Sequence, residues 1–293
     1  MDASIVIRTY NEAKWLPELL AAVKAQRLEG LSAETVIVDS GSTDETLAIA
    51  EAHQCRVVHI AKEDFTFGRS LNVGCEAARG ESLVFISGHC IPVGEEWLAN
   101  LIQPLREGRA HYVYGRQEGH PLTKYSEHQL FKKYYPDRSV IPQQDIFCNN
   151  ANSALLKRVW REQAFDETLT GLEDMELAKR LVATGRRIGY VADASVLHIH
   201  EETWSRVKNR YEREAIALRT VLPDVHVSFW DFLRYFAAGV MLDSGQAIQD
   251  KVFLKHAGEI VLFRLMQYWG TYRGNHHHRR LSAQRKEAYF YPR

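Results

Sequence analysis

Cysteine, net charge and long apolar runs are what this chain has least of. Its four cysteines, Cys55, Cys75, Cys90 and Cys148, are widely spaced and form no C-x-x-C pair. That argues against a disulfide frame and for reduced thiols in a cytoplasmic protein. Lysine plus arginine equals aspartate plus glutamate, so no global field would draw the chain to nucleic acid or to an acidic membrane. The longest apolar runs, such as Phe236-Ala237-Ala238-Gly239-Val240-Met241-Leu242, fall far below the roughly 20 residues that span a bilayer. The first apolar segment is too short for a secretory signal and lacks a basic flank and a cleavage site. There is no internal repeat and no low-complexity tract.

What remains is a composition able to fold: 45% hydrophobic and 25% charged over 293 residues. This suffices for one large α/β domain, or one domain with a helical extension. Residues 4–116 alternate strand and helix. Apolar runs at Ile5–Arg8, Thr35–Asp39, Arg56–Ile60, Ser82–Ser87 and His111–Gly115 read as strands, with helical patterns beginning near Ala13, Asp44, Gly68 and Glu95. Such alternation predicts a mostly parallel sheet flanked by helices. Residues 117–146 lose the rhythm and keep one short helix, Tyr125 to Tyr134. Two more strands, Cys148–Leu155 and Ile188–Val191, frame a helix from about Glu173 to Thr184. From Trp204 onward the pattern is helical, with breaks at Pro223 and Gly274. The expected division is therefore 1–203 and a helical 204–293.

Polar residues cluster where strands end. Ile5-Val6-Ile7 gives way to Thr9-Tyr10-Asn11-Glu12, and Val36-Ile37-Val38 to Asp39-Ser40-Gly41-Ser42-Thr43-Asp44. The carboxyl ends of parallel strands are where open α/β sheets bind ligands. Asn11 and Asp39 also suit helix caps. As a pair, the two motifs closely resemble the opening of the family 2 glycosyltransferases, which have the GT-A nucleotide-sugar-binding fold. The resemblance extends over roughly residues 4–204. It implies that Thr9, Asn11, Glu12 and Asp39 line a nucleoside pocket. It also implies that the segment around Arg69 and Asn72-x-Gly74 meets the diphosphate, where a cation at a helix start suits phosphate.

The chain departs from the family at Ser87-Gly88-His89, where relatives carry the D-x-D acids that hold a divalent metal. His89 can serve Mn²⁺-like ions as a softer, neutral ligand, so a divalent cofactor (Mn²⁺ or Mg²⁺) is expected without the usual carboxylates. The resemblance suggests a second histidine from Val196-Leu197-His198-Ile199-His200. His198 is preferred because it is nearer the strand, and His200 remains open. The pair Glu173-Asp174 matches the family's Glu-Asp motif. Thr170 and Glu173 fit a capping box, whereas Asp174 is left without a structural job and the resemblance makes it the general base. The amide-rich Cys148-Asn149-Asn150 suits sugar hydroxyls or a turn.

The implied activity is inverting transfer of a sugar from a nucleotide-diphosphate donor to a saccharide or lipid-linked saccharide, in bacterial surface polysaccharide synthesis. A nucleotidyltransferase would show a Gly-rich basic loop after the first strand, which Thr9-Tyr10-Asn11-Glu12 lacks. A non-catalytic nucleotide-sugar sensor is the other alternative. The aromatic segments Phe229–Phe236 and Ile260–Trp269 are expected to pack on a domain or a second subunit, with contact at the inner face of the membrane as the competing role. The basic run from His276 to Arg280 reads as a solvated end.

Overall fold

The computed structural model describes residues 1–277 and Phe290; within the basic run, residues 278–280 lie outside the described residues. The elements are β1 (Ala3–Thr9), α1 (Leu16–Lys24), β2 (Ala33–Asp39), α2 (Thr46–Ala52), β3 (Arg56–His59), α3 (Phe67–Ala77), β4 (Ser82–Ser87), β5 (Cys90–Pro92), α4 (Trp97–Arg106) and β6 (Tyr112–Gly119). They continue with α5 (Tyr125–Tyr134), β7 (Asn152–Leu156), α6 (Lys157–Glu162), α7 (Glu173–Ala183), β8 (Ile188–His198), α8 (Trp204–Val221), α9 (Phe229–Gln249) and α10 (Phe253–Asn275).

One eight-stranded sheet runs β3-β2-β1-β4-β7-β6-β8-β5. The first four strands pair in parallel, as the βα alternation of the sequence predicts. Beyond β4 the sheet turns antiparallel, with β7 on β4, β6 on β7 and β5 on β8. A central parallel strand is covered on both faces and so reads as a continuous apolar run. In β1 every residue from Ala3 to Ile7 is buried. Gly74 lets α3 lie directly on this sheet, since a Cβ there would sit 2.4 Å from Val6 Cγ1 and 2.9 Å from Val38 Cγ2. Leu16, Leu19, Trp97, Leu101 and Ile102 fill the core with Ile5, Ile7, Ile37 and Ile86. All four cysteines are free thiols.

The chain divides into two compact units. The first comprises Met1–Glu118, Tyr135–Leu169 and Glu173–Ile199 and holds the sheet. The second comprises Gly119–Tyr134, Thr170–Leu172 and the chain from His200 on. Its helices α8 and α10 approach closely because Gly270 and Gly274 of α10 lie against α8 backbone; a Cβ on either would come within 2.4 Å of a carbonyl oxygen, Lys208 or Glu212. Asp243 of α9 and Arg264 of α10 form a buried two-pronged pair at 2.7 Å. The break between α9 and α10, absent from the sequence reading, comes at Asp250-Lys251-Val252. There Lys251 takes a left-handed φ of 60° and two backbone bonds close the helix end. Among the described residues no helix is long and apolar enough to cross a membrane.

Candidate active site

The ends of β1 and β2 are laced together before any ligand is considered. Asn11 adopts φ 57°, a left-handed conformation that Asn tolerates better than most residues, and it turns the chain at the strand end. Its side-chain oxygen accepts from Thr43 N at 2.8 Å, and its own N–H donates to Ser42 Oγ. Glu12 N–H donates to Thr46 Oγ1. Asp39 is 1% exposed and accepts four bonds from its own surroundings: Thr9 Oγ1, Ser42 Oγ, Gly41 N and Ser42 N. Its oxygens shape the loop at the end of β2. Thr9 is buried with it, at 3% exposure.

The predicted diphosphate residues have distinct occupations. Thr66 caps α3 by accepting from Arg69 N at 3.0 Å. The Arg69 side chain makes an exposed ion pair with Glu167 at 3.4 Å. Asn72 is fully employed inside the protein. Its oxygen accepts from Trp160 Nε1 and Phe165 N, and its amide donates to Phe165 O and Glu167 Oε1. Two acceptor and two donor positions are all an amide has, so Asn72 ties α3 to α6 and the loop beyond it instead of meeting phosphate.

His89 and His198 come together through sheet register. Antiparallel pairing sets Cys90 opposite His198, so His89, one residue before β5, stands beside the end of β8. The rings stack with centroids 5.3 Å apart, and a ligating nitrogen of each lies within 4.8 Å of the other's. Their orientations follow from their neighbours. His89 Nδ1 faces the Glu12 carboxylate at 3.1 Å, where it donates. Ala151 N–H, a fixed donor, holds Asn149 Oδ1, which also accepts from Gln117 Nε2 at 3.0 Å. Gln117 must therefore present its oxygen to His198 Nδ1, 2.7 Å away, and that nitrogen carries the proton. A neutral ring with its proton on Nδ1 would offer Nε2 to a metal. A carboxylate or amide oxygen behind each imidazole is the arrangement that orients metal-ligating histidines. Asn149 thus works as part of this relay. His200 belongs to the second unit, where its Nδ1 faces Glu127 at 2.7 Å.

At the start of α7, Asp174 is 7% exposed and Glu173 5% exposed. Asp174 accepts from Asn150 N at 2.9 Å and from Met175 N at 2.8 Å. Burial, reinforced by the neighbouring charge of Glu173, pushes its carboxyl up to about 7, against the pull of these bonds and of Arg8. Asn150 is held in turn: its oxygen accepts from Tyr112 Oη at 2.6 Å and Ser153 Oγ at 2.8 Å, while Nδ2 is buried without an acceptor. Arg8 was not singled out from sequence. Its guanidinium reaches Glu173 Oε1 at 3.5 Å and Phe67 O at 3.4 Å and lies over the Phe67 ring. The signal for it is a charged residue closing an otherwise apolar strand.

Comparison with known proteins gives the class of this fold. The family model "Glycosyl transferase family 2" matches residues 4–165, and the chain belongs to that family. It is a glycosyltransferase with a GT-A fold. The O-antigen chain rhamnosyltransferase of Salmonella typhimurium is 26% identical over 224 residues, 72% of this chain and 70% of that protein. A poly(ribitol-phosphate) beta-N-acetylglucosaminyltransferase of Staphylococcus aureus is 22% identical over 86% of this chain, but only 43% of that protein is covered. Among solved structures, a mannosyltransferase from Pyrobaculum calidifontis, in complex with GDP-Man and Mn²⁺, superposes with a TM-score of 0.62 at 15% identity. That match covers 92% of this chain and 84% of that one.

Proposed function

We propose that the chain transfers a sugar, with inversion, from a nucleoside-diphosphate donor to a hydroxyl of a saccharide or lipid-linked saccharide during surface polysaccharide synthesis. The pathway rests on the relatives' O-antigen and poly(ribitol-phosphate) acceptors. The observation that carries the mechanism is Asp174: a buried carboxyl raised to about 7, held by two backbone N–H groups on the first turn of α7. A carboxylate at its ordinary strength is a poor base toward an alcohol, and raising its pKa toward the working pH makes proton acceptance more effective. The acceptor oxygen forms a bond to the anomeric carbon while its proton passes to Asp174. The bond from that carbon to the diphosphate oxygen breaks, and the leaving diphosphate keeps the electron pair.

Thr9, Asn11, Glu12 and Asp39 form and brace the nucleoside side of the cleft in this reading, and Arg69 remains the exposed cation near the α3 amino-terminus. The donor set at His89 and His198 fits a borderline ion such as Mn²⁺ better than Mg²⁺, because imidazole nitrogens suit the former and Mg²⁺ prefers oxygen. When bound, the ion would stabilise charge on the leaving diphosphate. The test is Asp174→Asn, assayed with a panel of UDP-, GDP- and dTDP-sugars. Thermal stabilisation by the matching nucleotide should persist, while release of the nucleoside diphosphate falls by about 100-fold or more. Retained turnover, or loss of nucleotide binding in the variant, overturns the assignment.

A further inference from the structure

The second unit carries a surface that catalysis does not use. Along α9, Trp230, Leu233, Ala237, Met241, Gly245 and Ile248 recur every three or four residues, and all are exposed. Such spacing places them on one stripe of a helix. Trp230 is 77% exposed, Met241 67% and Ile248 61%. Across the turn, α10 continues with Leu254, 94% exposed, and Val261. A soluble surface seldom leaves so many large apolar side chains open on one hairpin.

The charges of the hairpin are sorted. Between Tyr235 and Gln249 the only charged residue is Asp243, buried against Arg264. That leaves a charge-free stretch about 22 Å long at 1.5 Å per residue, too short to span a bilayer but long enough to lie along one. Charges return at its ends. Arg234 and Arg273 are exposed at one end, and Lys251 and Lys255 at the other. Ile248, Leu254, Lys251 and Lys255 border one shallow depression, so apolar and cationic groups share the hairpin tip. The single exposed acid in α9, the turn and α10 is Asp250, which already accepts from Tyr125 Oη and Gln246 Nε2.

We propose that the outward face of the α9–α10 hairpin docks on an anionic lipid surface, with its apolar stripe in the headgroup–acyl boundary and its cations on lipid phosphates. Arg234 is paired with the partly exposed Asp231 at 3.1 Å, so the cations left for such a surface are Lys251 and Lys255 at the hairpin tip and Arg273 at the other end, in a protein of zero net charge. A second copy fits less well. A twofold contact turns the face onto itself and brings these like charges together. Docking here would hold the enzyme where a lipid-linked acceptor is found.

The test is flotation of the full chain with vesicles of phosphatidylcholine, with and without about 30% phosphatidylglycerol, at about 0.1 M and about 0.5 M NaCl. Binding should need the anionic lipid and fall about tenfold or more at high salt. Ile248→Glu with Leu254→Glu, and separately Lys251→Glu with Lys255→Glu, should each weaken it about tenfold or more with unchanged circular dichroism. If a variant misfolds, quenching of wild-type tryptophan fluorescence by brominated lipid, lost in Trp230→Phe, gives the same information. No binding by the wild type, or binding indifferent to these changes, overturns the proposal. So does sedimentation showing a dimer that Ile248→Glu with Leu254→Glu dissociates. No sugar donor is involved, so failure here leaves Asp174 untouched, and failure of Asp174 leaves this face untouched.

Discussion

Replacing Asp174 with Asn should separate stability from activity, in a direction set by pH. In the folded chain the carboxyl holds its proton up to about 7, against an ordinary value of 3.8. Below 3.8 both folded and unfolded chains are protonated, and burial carries no ionic penalty. Between these values the unfolded chain releases the proton that the folded chain keeps, so stability declines as pH rises. Above about 7 the loss is complete. At 1.36 kcal/mol per pH unit the ceiling is about 4 kcal/mol. Asparagine escapes this loss because it cannot ionise. Its NH₂ must, however, face one of the two backbone donors, Asn150 N or Met175 N, at a cost of about 1–3 kcal/mol. Near pH 8 the variant should therefore be more stable by about 2 kcal/mol, a rise of about 4–8 °C in Tm for a chain of this size. At pH 4 the order should reverse. Thermal melts of both proteins at half-unit intervals from pH 4 to 9 provide the assay. A difference that does not change with pH would refute the raised carboxyl, whatever the turnover of the variant.

Other consequences follow from the same groups. Turnover at saturating substrate should rise with pH and level off above about 7, since Asp174 must be ionised to accept a proton. Glu173→Gln removes the neighbouring charge and should move that rise to lower pH, whereas Arg8→Met removes an opposing cation and should move it to higher pH; pH–rate profiles decide both. His89→Ala should abolish any Mn²⁺-dependent part of nucleotide stabilisation while leaving the EDTA-resistant part, as read by thermal shift. In the second unit, burial would raise Glu127, but Arg210 and His200 hold it down to about 2. Arg210→Met strands Glu127 and Glu202 and should cost about 3–5 kcal/mol at pH 7 by denaturant titration. The cost should shrink toward pH 4, where the stranded acids can take up protons.

The sequence made the parallel half of the sheet readable because buried strands and amphipathic helices leave different periods. Its short helix Tyr125–Tyr134 also emerges at those residues. The antiparallel pairing of β5 with β8 was not readable, since three residues carry no period. The break at Lys251 was hidden for another reason: a lysine took the left-handed conformation that glycine or asparagine would have advertised. At the site, residue types pointed to Asp174 and to the two histidines. Bond satisfaction was invisible. Nothing in the order of residues says that Asp39 and Asn72 are saturated by their own surroundings, or that Ala151 N–H fixes His198 through Asn149 and Gln117.

The divided make-up of the second unit bears on how the chain can be made. Helix α5 supplies Glu127, whose carboxylate meets Arg210 of α8, and it also packs on α10. On a chain synthesised from its amino-terminus, α10 is complete only about 140 residues after Tyr134, a delay of about 7–28 s at 5–20 residues per second. A ten-residue helix has little stability by itself in water, so α5 must wait for most of that time without its partners. A chain cut at residue 203 would never supply them. Glu127 would then lose its guanidinium for good, and the nascent protein would depend on its last helices to finish work begun in its middle.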